Sequence, residues 1–489
     1  MEGFWRITAP WLVGLVQGTW TGTIRTATWL RPGAARARSA LWRAHKARLD
    51  GLARIGVLEA LTVLIVLTGA ASALVIQHVE HFRALSPVDE IMHLDATFKA
   101  PRAVSAGERV DQEALRAAAC RRIDSPYAPP PCQTPELNPR DFPANGFNTA
   151  YIHPTGYYRV THWLADQIAP RWGTDDVDSA RLAGVVWLAA GLFLLFLLAR
   201  RLGAPPEAAV GVALLVAAWP PVWYSSAVVN PDATSLPVGA AVLYSAVAWG
   251  RSPFGILVLP LAGFAAVEFK LTNILVVGVA CGYLLLSALL RSGSWRERGR
   301  RLGVATGAAA LLAVPAVLLA AAIGRATNER AILPIGVFST GQYVDELPAG
   351  TVLSQWTHFL PPTTLAHAAP FLRDSAETRT FISTLFALTG GLLVAGLLAA
   401  LANASRNRET LAVALPTLVC MVVGGPLYAM ANYATTHGYF SVSARYGYVL
   451  IPCSAAVLAG LVSERRFARG LLVLGLAVSV TGIGMAMAA

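Results

Sequence analysis

Eleven stretches of mostly apolar residues recur along this chain, at 55–77, 180–200, 206–225, 232–249, 253–268, 271–290, 301–323, 380–402, 409–430, 443–462 and 468–488. A run of about 20 apolar residues matches the thickness of a bilayer core, and a protein with many such runs has few other places to put them. The runs are continuously apolar and do not alternate, which selects helices over a barrel. The expectation is an all-α integral membrane protein with about eleven transmembrane helices. With 55% hydrophobic and only 14% charged residues, the chain falls outside the range of soluble domains.

The formal net charge of +11 raises the question of nucleic acid. The basic residues, however, gather in an N-terminal arm and in short loops, as they do on the cytoplasmic side of membrane proteins. If the arm is cytoplasmic, the inner loops carry Arg200-Arg201, Arg251, Arg291 through Arg301, Arg406 with Arg408, and Arg465-Arg466-Arg469. The bilayer is therefore the expected partner, and nucleic acid is not. This orientation leaves two long loops outside, about 78–179 and 324–379. The chain then divides into a basic arm over 1–54, a transmembrane module over 55–323 that contains the first long loop, the second loop over 324–379, and C-terminal helices over 380–489. The arm mixes Trp5, Trp11, Trp20 and Trp29 with arginines, a pattern suited to lying on anionic lipid. Residues 253–268, interrupted by Pro260, are short for a crossing and could tilt or re-enter.

Within the first loop, Leu85 to Ala100 reads as a helix along the membrane surface. Tyr157 to Ile168 reads as a second, amphipathic one. Residues 123–148, rich in Pro, Asn and Asp, read as irregular. Cys120 and Cys132 flank part of this stretch, and in an extracytoplasmic loop a disulfide is the expected pairing. Cys281, Cys420 and Cys453 lie inside apolar runs and read as small buried hydrophobes.

Chemistry-bearing residues cluster at the two ends of that loop. Pro87-Val88-Asp89-Glu90-Ile91-Met92-His93 follows the first span; His153-Pro154-Thr155-Gly156-Tyr157-Tyr158 precedes the second. Carboxylates beside a membrane are costly and mark function by default. A carboxylate within hydrogen-bond reach of a hydroxyl can take its proton, which is what transfer of a group to that hydroxyl needs. Adjacent Asp and Glu on a helix point about 100° apart, so one can face a substrate while the other orients a neighbour. Glu90 and His93 share a helical face. The bland reading of the same residues is a helix N-terminus with acids in its first turn. For His153 and the tyrosine pair, the bland reading is an interfacial aromatic belt.

Taken together, and in this order along the chain, P-x-D-E-x-x-H, H-P-T-G-Y-Y, Asn230-Pro231-Asp232, Lys270 and Arg445-Tyr446 resemble the GT-C superfamily of polytopic glycosyltransferases. The resemblance is closest to a bacterial branch with P-D-E-x-x-H and H-P-P-x-Y-Y motifs. The chain departs from that pattern where Val88 separates Pro87 from Asp89 and where Thr155 replaces a second proline. The resemblance implies a GT-C-like fold, a polyprenyl-phosphate sugar donor, a glycan or lipid-linked glycan acceptor, and chemistry on the outer face of a bacterial cytoplasmic membrane. Under it, Asp89 is the general base, with Glu90 as understudy or orienter. Sites for donor and acceptor are then shared among His93, His153, Tyr157, Tyr158, Asn230, Asp232, Lys270, Arg445 and Tyr446. Lys270 and Arg445 suit a phosphate, the one as a point charge and the other as a fork. Both stand on the outer side, against the usual bias of basic residues, although Lys270 could also snorkel beside Glu268. No cofactor is required; a divalent metal is compatible with converging Asp, Glu and His, but the spacing does not dictate one. The high Ala and Arg usage is that of a GC-rich genome, from which arabinose or mannose is the expectation for the sugar. The rival expectations are a flippase or transporter of a polyprenyl-linked intermediate and a non-catalytic envelope-assembly protein.

Overall fold

The computed structural model describes residues 56–123, 128–250, 254–328, 341–343, 346–357, 359–360, 376–404, 407–436, 438–440 and 442–488. The expected basic arm over 1–54, much of the second outer loop, Arg251 and Arg406 lie outside these residues. The chain separates into two compact units, Met1–Thr62 and Val63–Ala489. Of the first, only the opening turns of one helix are described.

That helix, α1 (Val57–His81), leads into the first long loop, which folds around α2 (Glu90–Phe98), α3 (Gln112–Arg121) and α4 (Gly156–Trp172). The short α5 (Asp176–Leu182) runs into α6 (Gly184–Arg201) as one apolar span. Next come α7 (Pro206–Ala217), α8 (Pro220–Ala227), α9 (Ser235–Ala248), α10 (Gly255–Phe269), α11 (Ile274–Leu290) and α12 (Trp295–Asn328). Strand β1 (Gly341–Tyr343) and α13 (Ala349–Ser354) belong to the second long loop. Helices α14 (Ala376–Ala402) and α15 (Arg408–Thr436), strand β2 (Gly438–Phe440), α16 (Ile451–Leu461) and α17 (Arg465–Ala488) complete the order. The two three-residue strands pair antiparallel, Gly341 opposite Phe440, and clip the second loop to the segment after α15.

All eleven apolar stretches are helical, but they are not alike. Eight helices among the described residues are long and apolar enough to cross a membrane, or nine if α7 and α8 count as one broken span. The α7–α8 pair bends by 63° at Trp219, where Pro220 and Pro221 cannot supply the N–H groups that would continue the ladder. Helices α9 and α10, with 14 and 15 residues, rise only about 21–23 Å at 1.5 Å per residue, short of a ~30 Å hydrocarbon core. The protein is a multi-pass, predominantly helical membrane protein; among the described residues eight or nine of the eleven expected spans reach crossing length.

The long spans share a polarity. Helix α6 follows Arg181 and ends at Arg200-Arg201; α11 follows Lys270 and ends at Arg291; α16 follows Arg445 and ends just before Arg465-Arg466. At the basic end, Arg408 donates to the Leu290 carbonyl at 2.7 Å and Arg291 approaches Glu409 at 3.5 Å, so the ends of α11 and α15 lie together. Arginine-rich turns form one layer and the motif residues the other.

The first long loop is more than helices lying on a surface. It has its own hydrophobic core, with Leu85, Met92, Leu94, Leu115 and Leu137 each at most 2% exposed. Helix α2 is buried at Glu90 through Thr97, which corrects the surface helix expected over Leu85–Ala100. It fails to float because its polar residues have partners on several sides. Lys99 Nζ donates to Asp95 at 2.6 Å and approaches Glu108 at 3.0 Å, while Asn148 Nδ2 donates to Asp95 at 2.6 Å. Arg102 and then Lys99 hold the Glu108 carboxyl down to about 2; burial pushes that of Asp95 up. Helix α4 is amphipathic as expected, burying Tyr157, Tyr158, Thr161 and Ala165 while Trp163 and Trp172 stay exposed. Cys120 and Cys132 are disulfide-bonded across the irregular segment.

Candidate active site

Asp89 stands at the first turn of α2 with φ 61° and ψ 7°, in the left-handed region, and its side chain makes no capping bond. A non-glycine residue there is uncommon, and Asp is among the few that tolerate it. Its carbonyl is fixed by the N–H groups of Met92 (3.0 Å) and His93 (3.1 Å). Its carboxylate, 48% exposed, accepts from Arg445 Nη2 at 2.8 Å. The capping role open in the sequence is thus not taken by the Asp89 side chain.

Glu90 behaves in the opposite way. It is fully buried, and both of its oxygens are engaged twice. Oε1 accepts from Arg181 Nε at 2.8 Å and from the Val229 N–H at 3.0 Å; Oε2 accepts from Arg181 Nη2 at 2.8 Å and from the Ser86 N–H at 2.6 Å. Four donors fill the lone pairs of a carboxylate. No acceptor capacity is left for a substrate proton, so of the two acids only Asp89 can serve as an open base.

The remaining motif residues converge from distant elements. Helix α4 starts against the end of α10, where a Cβ on Gly156 would lie 2.7 Å from the Glu268 carbonyl oxygen, so only glycine allows this approach. That contact sets His153, Tyr157 and Tyr158 beside the Lys270 corner. His93 Nδ1 and the Tyr158 hydroxyl are 2.8 Å apart, and the His93 and His153 rings lie 5.3 Å apart. The Tyr157 hydroxyl accepts from the Asn230 N–H at 2.9 Å, and Asn230 Oδ1 caps the next turn through the Asp232 N–H at 2.9 Å. Asp232, 4% exposed, is in direct contact with Lys270 Nζ and lies 3.6 Å from Arg445 Nη1. Lys270 is therefore the partner of Asp232; Glu268 faces Thr155 Oγ1 instead, at 3.5 Å. Arg445 and Tyr446 sit on a 3₁₀ turn, Ala444–Leu450, that presses on α9 where a Cβ on Gly239 would meet the Val449 oxygen at 2.4 Å. Both cations lie over the Tyr446 ring, Lys270 at 5.2 Å and Arg445 at 5.9 Å.

The electrostatics follow. Two carboxylates and two cations alternate as Asp89, Arg445, Asp232 and Lys270, with no net charge. Burial, then the nearby cations Arg445 and Lys270, pull the His93 imidazole well below its usual range; burial, then His93 and the same cations, do so for His153. Both rings are neutral at neutral pH and act as hydrogen-bonding groups rather than counter-charges. Burial keeps the Tyr157 and Tyr158 phenols protonated by raising them. Three buried polar nitrogens here have no hydrogen-bond partner among the described residues: His153 Nδ1, Arg445 Nε and Arg445 Nη1. At 3.6 Å from Asp232, Nη1 has an ion-pair contact but no hydrogen bond. Among the described residues no three His, Cys, Asp or Glu gather as a metal-ligand set.

Sequence reasoning passed over Arg181. The criterion that singled out Lys270 and Arg445, a basic residue at the motif end of an apolar run, applies to it equally. Besides Glu90, it donates to the carbonyls of Phe82 and Ala84 at 2.8 and 2.7 Å. Comparison of the chain with protein-family models, curated proteins and solved structures finds no match in any of the three.

Proposed function

We propose that the protein is a glycosyltransferase that moves a sugar from a polyprenyl-phosphate donor to a cell-envelope acceptor on the extracytoplasmic face. The observation that carries this reading is the pairing of an open carboxylate with two cations, the buried Lys270 and the partly buried Arg445, in one cluster at the motif end of a membrane-spanning bundle. The acceptor hydroxyl gives its proton to Asp89 as its oxygen bonds to the anomeric carbon. The bond from that carbon to the phosphate oxygen breaks, and the phosphate leaves with one added negative charge. Arg445 and Lys270 stabilise that charge; the buried, unfilled Nε and Nη1 donors of Arg445 suit an incoming phosphoryl oxygen, since leaving them unmet costs about 1–3 kcal/mol each. The neutral His93–His153 pair, with one free ring nitrogen, suits a sugar hydroxyl. A divalent metal is not needed for this scheme. The particular sugar, with arabinose or mannose favoured by composition, is part of the proposal.

The flippase reading is the specific rival, because it too needs a phosphate site. Full-length protein in liposomes, supplied with polyprenyl-phosphate sugars and an envelope glycan acceptor, separates the two. A transferase releases free polyprenyl phosphate and elongates the acceptor, whereas a flippase moves the donor intact between leaflets. Intact relocation without release overturns the proposal.

The side of the membrane is tested separately. Arg296→Cys, in the basic first turn of α12, should resist impermeant thiol reagents applied from outside; Glu136→Cys, beside the disulfide, should react. Cys120 and Cys132 are bonded to each other and Cys453 is buried; the partly buried thiols of Cys281 and Cys420 are changed to Ala in both variants to keep the background low. The reverse labelling pattern would put the acidic cluster in the cytoplasm and end the case for a donor site on the outer face.

A further inference from the structure

The fully buried Glu90–Arg181 pair lies one residue from the open carboxylate, and its contacts extend beyond that residue. Glu90 Oε2 holds the Ser86 N–H, on the Asp89 side of the site. Glu90 Oε1 holds the Val229 N–H, immediately before the Asn230-Pro231-Asp232 turn that carries the partner of Lys270. Arg181 spans both oxygens with its Nε–Nη2 edge and takes the Phe82 and Ala84 carbonyls with its remaining N–H groups. Around it, Ser86 Oγ meets the Tyr224 hydroxyl at 2.6 Å, and Ser86 Oγ accepts from the Val88 N–H at 3.1 Å. Asp89 is the residue where this clamped stretch turns into α2, and its backbone is left-handed there. Such a conformation persists where the surroundings over-determine it.

We infer that Arg181 is a positioning residue: acting through Glu90, it fixes the Asp89 carboxylate relative to the Asp232–Lys270 pair and Arg445. This inference rests on the reading of Asp89 as the base and assigns a role to a residue outside the motifs. A planar guanidinium is required because one group must reach two carboxylate oxygens and two carbonyls at once; an ammonium supplies the charge without that fork. Removing the fork shifts the loop that carries Asp89 relative to Arg445 and Lys270, to neither of which Arg181 itself is bonded. Reacting groups displaced by about 1 Å lose on the order of 10²-fold in rate.

Arg181→Lys is the test, in the full chain and in the monodisperse fraction. The first readout needs no substrate. An Asp89→Cys, Arg445→Cys pair is treated with a short bifunctional thiol reagent, with Arg181 or with Arg181→Lys in the background. Cross-linking should fall several-fold in the Arg181→Lys background; equal yields in both overturn the inference, whatever the protein catalyses. The second readout is transfer. Counted per donor-binding site, kcat should drop about 10- to 100-fold while the KM for polyprenyl-phosphate sugar stays within about two-fold. A kcat per site equal to wild type assigns Arg181 to folding alone and also overturns the inference. Should Arg181→Lys fail to fold, Glu90→Gln keeps the side-chain shape and one of the two backbone acceptors and is read in the same two ways. Wild-type protein that transfers no sugar defeats the proposed function, and the cross-linking result still decides the positioning.

Discussion

An Asp89→Asn protein is expected to fold, to bind donor lipid and to transfer almost no sugar. The amide keeps the size of the carboxylate and tolerates the left-handed backbone at φ 61° at least as well. The substitution removes one half-exposed ion pair, that with Arg445 at 2.8 Å, and such pairs contribute about 0–1 kcal/mol. Lys270 and Arg445 keep their other partner, Asp232, so the phosphate site remains. The amide cannot accept the acceptor's proton, and loss of a general base costs about 10²–10⁴ in rate. Transfer by purified protein, beside donor affinity and a melting curve, checks all three expectations. Near-normal transfer by Asp89→Asn would show that the acceptor is deprotonated elsewhere, and the mechanism proposed here would be wrong.

One residue on, the expected result is the reverse. Glu90→Ala should fail to yield a stable, monodisperse protein. It strands the Arg181 guanidinium, 1% exposed, without its counter-ion, and leaves the Ser86 and Val229 N–H groups with no acceptor. Breaking a buried ion pair from one side costs about 3–5 kcal/mol, most of what an average fold has to spare. Size-exclusion profiles and thermal unfolding in detergent provide the measurement. A Glu90→Ala protein that elutes and melts like wild type would mean that the Arg181 cluster does not hold the outer loop together. The contrast between neighbours is the sharper result: one acid for chemistry and one for structure, separated by a single peptide bond.

Much of this molecule was legible in the sequence because the relevant properties are local. Hydropathy in a window of about 20 residues reports whether a segment is helical and lipid-compatible, since neither depends on distant neighbours. Charge at helix ends reports the two layers for the same reason. The aligned basic ends of α6, α11 and α16, opposite the motif residues, follow from it. The residues that the motif resemblance grouped, among them Asp89, His93, Tyr158, Asp232, Lys270 and Arg445, lie close together in the structure. The number of full crossings was less legible. Apolar windows count α9 and α10 as spans although their helices are short, and the α7–α8 bend depends on a proline pair inside an otherwise spanning run.

Only the tertiary structure separated Asp89 from Glu90. In sequence they are two acids in a helix's first turn, pointing about 100° apart, with nothing to say which faces inward. That is decided by Arg181, 91 residues downstream, and by the Val229 N–H, 139 residues downstream. The same holds for Lys270, whose counter-ion is Asp232, 38 residues away, and not the neighbouring Glu268. Helix propensity and periodicity place a residue on a face. Which buried charge finds which partner is fixed by packing between elements, because desolvating a charge is affordable only where the fold has already brought its partner to it.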